Sequence, residues 1–185
     1  MNKEAVMTTL DRQITNPRSG QRMIFRTTGK ETNGALLEIE SFNPPSQERE
    51  PEHIHPKQTS SLEVISGKIH FCMNDEIRIL GPGDLLEIPA GVPHYFWNED
   101  AAEAHTIQKF TPALEIEGFF RTYFALARDG KLNAKGTPNL VRMSLPMLNY
   151  QNEIQVVNPP WSVQKTVFTI LSPLAKLLGY KEKYE

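Results

Sequence analysis

The 185-residue chain has a single cysteine, Cys72. It can therefore form no intramolecular disulfide, and no zinc or iron–sulfur site built from several thiolates can be assembled. An excess of positive charge is also missing, since 20 Lys and Arg stand against 22 Asp and Glu, for a formal net charge of -2. Gripping nucleic-acid phosphates requires a basic excess, so nucleic acid is not an expected partner. Long apolar runs are scarce. The best candidate for a membrane span, residues 163–178, contains Lys165 and Lys176 and falls short of the roughly 20 apolar residues that a span needs. Residues 1–10 mix Lys3 and Glu4 with threonines and hold no apolar core of signal-peptide kind, so the expectation is a cytoplasmic protein without a membrane span. Gly/Ser-rich linkers, internal repeats and low-complexity stretches are lacking as well. The remainder, 39% hydrophobic and 23% charged, is the composition of a folded globular chain and is too apolar for a disordered one.

The first two thirds of the chain read as β-structure. Short apolar or alternating runs predict strands over residues 23–26, 35–42, 62–65, 68–73, 77–80, 85–88, 94–97 and 106–110. Turn residues separate them, among them Asn33-Gly34, Ser66-Gly67, Asn74-Asp75, Gly81-Pro82-Gly83 and Pro89-Ala90-Gly91. Many short strands at this spacing predict an antiparallel sandwich or barrel.

The period then changes. Thr111-Pro112 reads as a helix start, followed by Ile116, Phe119, Phe120, Tyr123, Phe124 and Ala127 at intervals of three and four. Thr137-Pro138 precedes a second helical segment over residues 140–148. Asn158-Pro159 precedes a third, over residues 161–178, with Val163, Val167, Leu171, Leu174 and Leu178 on one apolar stripe. Pro146 and Pro173 are expected to kink or shorten these two helices. The division is a β-domain over residues 1–112 and a helical extension over residues 113–185, packed on the β-domain because no flexible linker joins them.

Five histidines carry the functional argument. His53 and His55 are two apart, a spacing that points both imidazoles to one face of a strand. Further on, Gly83, Pro89, Gly91, His94 and Asn98 describe a strand, a tight turn and a returning strand that opens with a histidine. His-x-His followed by Gly67, and then Gly-x5-Pro-x-Gly-x2-His-x3-Asn, are the outlines of the two motifs of the cupin superfamily, and over about residues 25–112 the chain resembles that family. The resemblance implies a mainly β fold, a jelly-roll β-barrel (double-stranded β-helix), here followed by C-terminal α-helices. It also implies one divalent metal ion (Fe, Ni, Mn, Cu or Zn) held by His53, His55 and His94, a small-molecule ligand, and a homodimer.

Two positions depart from the family pattern. Gln47 stands at the leading glycine, and Ser60 stands where the family places its glutamate ligand. Glu63 has the wrong strand parity to replace it, whereas Gln58 shares parity with Ser60. Ser60 and Gln58 are thus the candidates for a fourth ligand position or for a contact to water or substrate, and Phe96, Leu62 and Val64 are candidate pocket-lining residues. An open fourth position would let an anionic substrate reach the metal, and the resemblance, since three-histidine cupins occur among oxygenases, implies an oxygenase-type reaction and a metal-dependent dioxygenase. Two other readings stand beside it. One is a non-catalytic sensor or binding cupin. The other is a metal-independent sugar epimerase or isomerase, which needs a base and an acid such as His53 or His94 with Tyr95 or Tyr123. His70 and Cys72 share a strand face and read as a partly exposed histidine and a small apolar cysteine rather than as a redox or metal pair, and His105 reads as a surface residue. Phe119, Phe120, Tyr123 and Phe124 read either as a lid over the barrel or as a packing face.

Overall fold

The computed structural model describes residues 12–46, 49–134 and 136–184. Gln47 lies outside these residues, as do residues 1–11, the start of the β-domain expected from the sequence. Eleven strands and three helices are seen among the described residues. The strands are β1 (Gln13–Thr15), β2 (Arg22–Thr27), β3 (Leu37–Asn43), β4 (His53–Ile54), β5 (Thr59–Ser66), β6 (Ile69–Met73), β7 (Glu76–Leu80), β8 (Leu85–Ile88), β9 (His94–Trp97), β10 (Ala104–Thr111) and β11 (Gln155–Val156). The helices are α1 (Ile116–Arg128), α2 (Leu140–Asn149) and α3 (Trp161–Leu177). All strand pairings are antiparallel, in one sheet ordered β1-β2-β3-β10-β5-β8 and a second ordered β11-β4-β9-β6-β7. This is the mainly β double-sheet jelly roll with C-terminal helices.

Alternation along each strand sorts the side chains. In the first sheet, Leu37 and Ile39 of β3, Phe110 of β10 and Leu62 and Val64 of β5 are buried on one face. Two apolar clusters result. One joins Met23, Phe25, Leu37, Ile39 and Phe110 to Ile116 and Phe124 of α1. The other fills the space between the sheets with Leu62, Val64, Ile69, Phe71, Leu86 and Ile88. Each of these side chains contributes about 1.5–3 kcal/mol by leaving water. The aromatic row of α1 is therefore a packing face. Phe124 is buried, and Phe119, Phe120 and Tyr123 are partly buried against the first cluster.

Gly67 shows why one turn residue is fixed. Its φ is +76°, and a Cβ there would meet Ala104 Cα and Glu103 O, each at 2.7 Å.

The expected start of the first helix is corrected. Thr111 completes β10 opposite Thr59, and α1 begins at Ile116 after Glu115, so strand pairing outcompetes the local capping signal. Pro146 and Pro173 both lie inside their helices, which continue to Asn149 and Leu177. The two helices pack along each other, and that contact offsets the hydrogen bond that each proline removes. The stripe expected on α3 is turned to solvent over most of its length, since Val163, Val167, Leu174 and Leu178 are exposed. The buried residues of α3 are Gln164, Phe168 and Ala175. Finally, the segment after α2 does not stay helical but returns to the second sheet as β11.

Candidate metal centre

His53 and His94 are direct cross-strand partners on β4 and β9. His55 follows β4 with the same parity as His53, and its carbonyl accepts the Gly91 N–H at 2.9 Å, which ties it to the Pro89-Ala90-Gly91 turn. The three ring centroids lie 4.5–5.2 Å apart. One nitrogen from each ring lies within 4.8 Å of the other two, and all three side chains are buried. The residues expected as ligands are thus brought together, in a cluster that could hold a metal ion.

Their orientation is set by backbone carbonyls. Each Nδ1 faces one: Pro51 O at 3.0 Å for His53, Glu153 O at 2.7 Å for His55 and Val92 O at 2.8 Å for His94. A carbonyl only accepts, so each Nδ1 carries the proton and each Nε2 keeps its lone pair. This arrangement of carbonyls behind the rings is the outer shell that metal-binding histidines use. Burial, reinforced by the neighbouring imidazoles, holds His94 down to about 4 and His55 well below the usual imidazole range; burial also lowers His53. All three rings are therefore neutral at neutral pH, the form in which imidazole binds a metal.

The C-terminal part of the chain helps to hold this geometry. β11 pairs with β4, Val156 opposite His53, and the Val157 N–H donates to Glu52 O at 2.9 Å. Glu153, whose carbonyl holds His55, is itself buried. Its position follows from the turn after α2, where its N–H donates to the carbonyl of the fully buried Tyr150. Sequence reasoning missed Glu153, because a contribution made through a backbone carbonyl leaves no side-chain signature.

Ser60 and Gln58 are both buried. Ser60 sits between Phe110 and Ile88 on the inward face of the first sheet. Gln58 donates from Nε2 to Pro112 O and Ala113 O at 2.9 and 2.8 Å, while its Oε1 is buried without a hydrogen-bond partner. Two carbonyls facing one nitrogen fix the amide orientation, so Oε1 remains an acceptor in need of a donor or a cation. Leu62 and Val64 are buried in the inter-sheet cluster, and Phe96 packs against it. The Phe96 ring lies nearly parallel to Phe71, which stacks in turn on His94. Glu50 is a further group that the sequence did not reveal. Its Oε1 accepts the Phe96 N–H at 3.3 Å, and burial pushes its carboxyl up to about 7.

The other candidates separate from this cluster. Tyr95 stacks on Trp97, whereas its neighbour His94 stacks on Phe71, so the two face opposite sides of the sheet. Tyr123 donates its hydroxyl hydrogen to Gly136 O at 2.6 Å. The histidine–tyrosine pairs that an epimerase would use are thus not brought together. His70 stacks on Trp97 and lies 3.5 Å from Glu99, and Cys72 is buried. His105 is corrected: it is half-buried, stacked on Phe42 and bonded at 2.8 Å to Glu40, which also takes Arg26 on the face of β3 opposite to Ile39.

Comparison with known proteins bears on the fold. Residues 42–108 match the model of the cupin domain. A probable oxidoreductase, VirH, of Hypocrea virens is 26% identical over 147 residues, which cover 72% of this chain and 65% of that protein. The chain thus spans just under two thirds of this curated relative. KdgF from Halomonas sp. superposes with a TM-score of 0.51 at 15% identity, over 61% of this chain and 99% of that one, a likeness of fold. A sugar phosphate isomerase from a cupin superfamily, from Silicibacter pomeroyi, has a TM-score of 0.44 at 21% identity, over 50% of this chain and 59% of that one.

Proposed function

From a chain that belongs to the cupin superfamily, with its domain at residues 42–108 followed by helices, we propose a metal-dependent enzyme that oxidises or cleaves a small molecule in an oxygenase-type reaction. The observation that carries this reading is the set of three buried, neutral imidazoles whose Nδ1 protons are all engaged by carbonyls. His53, His55 and His94 are the ligands of one divalent ion, and nitrogen donors suit iron, nickel, manganese, copper and zinc. When bound, such an ion would polarise an anionic oxygen or sulfur of the substrate and open it to oxidation.

The chain's own residues do the rest. Pro51, Glu153 and Val92 hold the rings in one tautomer, so the donors need not reorganise. With Ser60 in the place of the family's glutamate, no carboxylate occupies that position, and an anionic substrate meets less repulsion there. Gln58 Oε1 accepts a hydrogen bond from a bound water or from a substrate hydroxyl. Leu62, Val64, Phe71 and Phe96 exclude bulk water, and Glu50 is a carboxyl poised to exchange a proton near neutral pH. The working form is a homodimer, its ligand is a small molecule, and nucleic acid is not a partner. The β-domain and the helical segment act as one unit, because β11 pairs with the strand that carries His53 and Glu153 O holds the His55 ring.

Oxygen uptake tests this reading. Metal-reconstituted protein is assayed across a panel of enolic and thiol compounds. Turnover that disappears in chelator and in His94→Ala supports it. A ligand bound without turnover on any member of the panel makes the protein a binding cupin, and turnover that survives in chelator makes it a metal-independent isomerase.

A further inference from the structure

The outer face of α3 is apolar and uncovered. Val163, Val167, Ile170, Leu174 and Leu177 follow one another at intervals of four and three, with Leu178 beside them. All six are exposed, Ile170 at 71% and Leu177 at 83%. The face that packs on the rest of the protein is a different one, carrying Gln164, Phe168 and Ala175. At 100° per residue it lies roughly 110° around the helix from the exposed row. Apolar residues on two separate faces of a helix are the mark of a helix covered on both.

We propose that this row is the contact through which two copies of the chain pair, α3 against α3 across a two-fold axis. The proposal rests on the homodimer reading for the fact of pairing, and it assigns the surface. Three observations select a second copy. Alternating intervals of four and three keep a row on one side of a helix for two full heptads, which is the pattern a facing helix requires. Area is the next argument, since the six side chains expose on the order of 600 Å² per copy, so in a self-pair they alone can contribute up to about 1,200 Å², the lower bound of a stable interface, before their neighbours on the helix are added. The third argument is charge. The helix has two charged residues, Lys165 and Lys176, both roughly 150° around the axis from the row, so self-pairing brings no like charges together. The scarcity of charge also disfavours a lipid surface, because a helix lying in a membrane interface carries a polar face rich in Lys and Arg, and this one has two lysines. Ile170 is the middle of the row and faces its own copy whichever way the helices run.

The test is the mass of the full chain in solution by sedimentation velocity, for wild type and for Ile170→Glu, with circular dichroism to confirm that the variant is folded. Ile170 is exposed, so the variant keeps the monomer's packing. The expected result is a dimeric wild type and a monomeric variant with an unchanged spectrum. A second arm places cysteine on the row: Ile170→Cys cross-links to a dimer on mild oxidation, and Lys165→Cys, on the far side, does not. A monomeric wild type overturns both the homodimer and the surface. A wild-type dimer that Ile170→Glu leaves intact overturns the surface while the homodimer stands. Co-sedimentation of wild type with phosphatidylcholine–phosphatidylserine vesicles, lost in Ile170→Glu, also overturns the proposal and assigns the row to a lipid surface.

Discussion

Replacing Glu50 by glutamine tests the electrostatics beside β9. The Glu50 carboxyl accepts the Phe96 N–H at 3.3 Å, and desolvation raises its pKa from 4.5 to about 7, against the lowering effect of that bond. In the unfolded chain the same group ionises near its ordinary value. A raised folded pKa means that the stability linked to this group is complete below pH 4.5 and is lost as pH rises through about 7. The full loss is about 3 kcal/mol, at about 1.4 kcal/mol for each tenfold change in proton activity. Glutamine keeps an oxygen for the Phe96 N–H and carries no charge at any pH. The histidines act in the opposite direction, since His94 is lowered from 6.5 to about 4 and its linked stability is lost as pH falls through that window. That contribution is common to wild type and variant and cancels in their difference. Urea unfolding of both proteins, metal-free, at about pH 5 and about pH 8 should show the variant gaining roughly 2–3 kcal/mol on wild type between the two conditions. Stability curves that run parallel over this range would refute the assignment of a desolvated Glu50 carboxyl with a raised pKa.

Two further substitutions probe the frame around the histidines. Gly67→Ala forces a Cβ to 2.7 Å from Ala104 Cα and Glu103 O at a φ of +76°, and should cost about 2–4 kcal/mol, read as a lowered denaturation midpoint. An unchanged midpoint would mean that the β5–β6 turn is looser than the register of β10 implies. Val157→Pro removes the N–H that Glu52 O accepts and loosens β11 from β4. It should weaken zinc or cobalt binding about 10-fold or more with all three histidines still present, as loss of outer-shell support does. Equal affinity by chelator competition would show that β11 does not orient His53.

Much of the fold was legible because its signals are local. The strands from β5 to β10 alternate over four to eight residues and are bounded by Gly, Pro and Asn turns, so periodicity found them to within a few residues. β1, β4 and β11 are two or three residues long, below the length at which alternation can be recognised. The Gln155-Val156 strand exists because β4 offers an unpaired edge, which is a property of its partner and not of its own residues. The helices were visible as periods of three and four, but a period cannot say which side of an apolar helix packs. On α3 the contact fell on Phe168 and Ala175 and left the longer row exposed. The histidine triad was legible through the resemblance to the two cupin motifs, while strand parity by itself placed only His53 and His55 on one face. Its supports were not legible, because the His55 partner is a backbone carbonyl 98 residues away and Glu50 is placed by a bond to a main-chain N–H.

The central claim is that His53, His55 and His94 form a metal centre without the family's carboxylate. The direct test is stoichiometric titration of the metal-free protein with cobalt(II), followed by its visible absorption and by elemental analysis after dialysis. The account predicts one ion per chain, a spectrum of nitrogen coordination, and loss of both in His53→Ala and in His94→Ala, each checked for native circular dichroism. A folded wild-type chain that retains no cobalt, zinc or iron after dialysis, or a His94→Ala variant that retains a full equivalent, would contradict it.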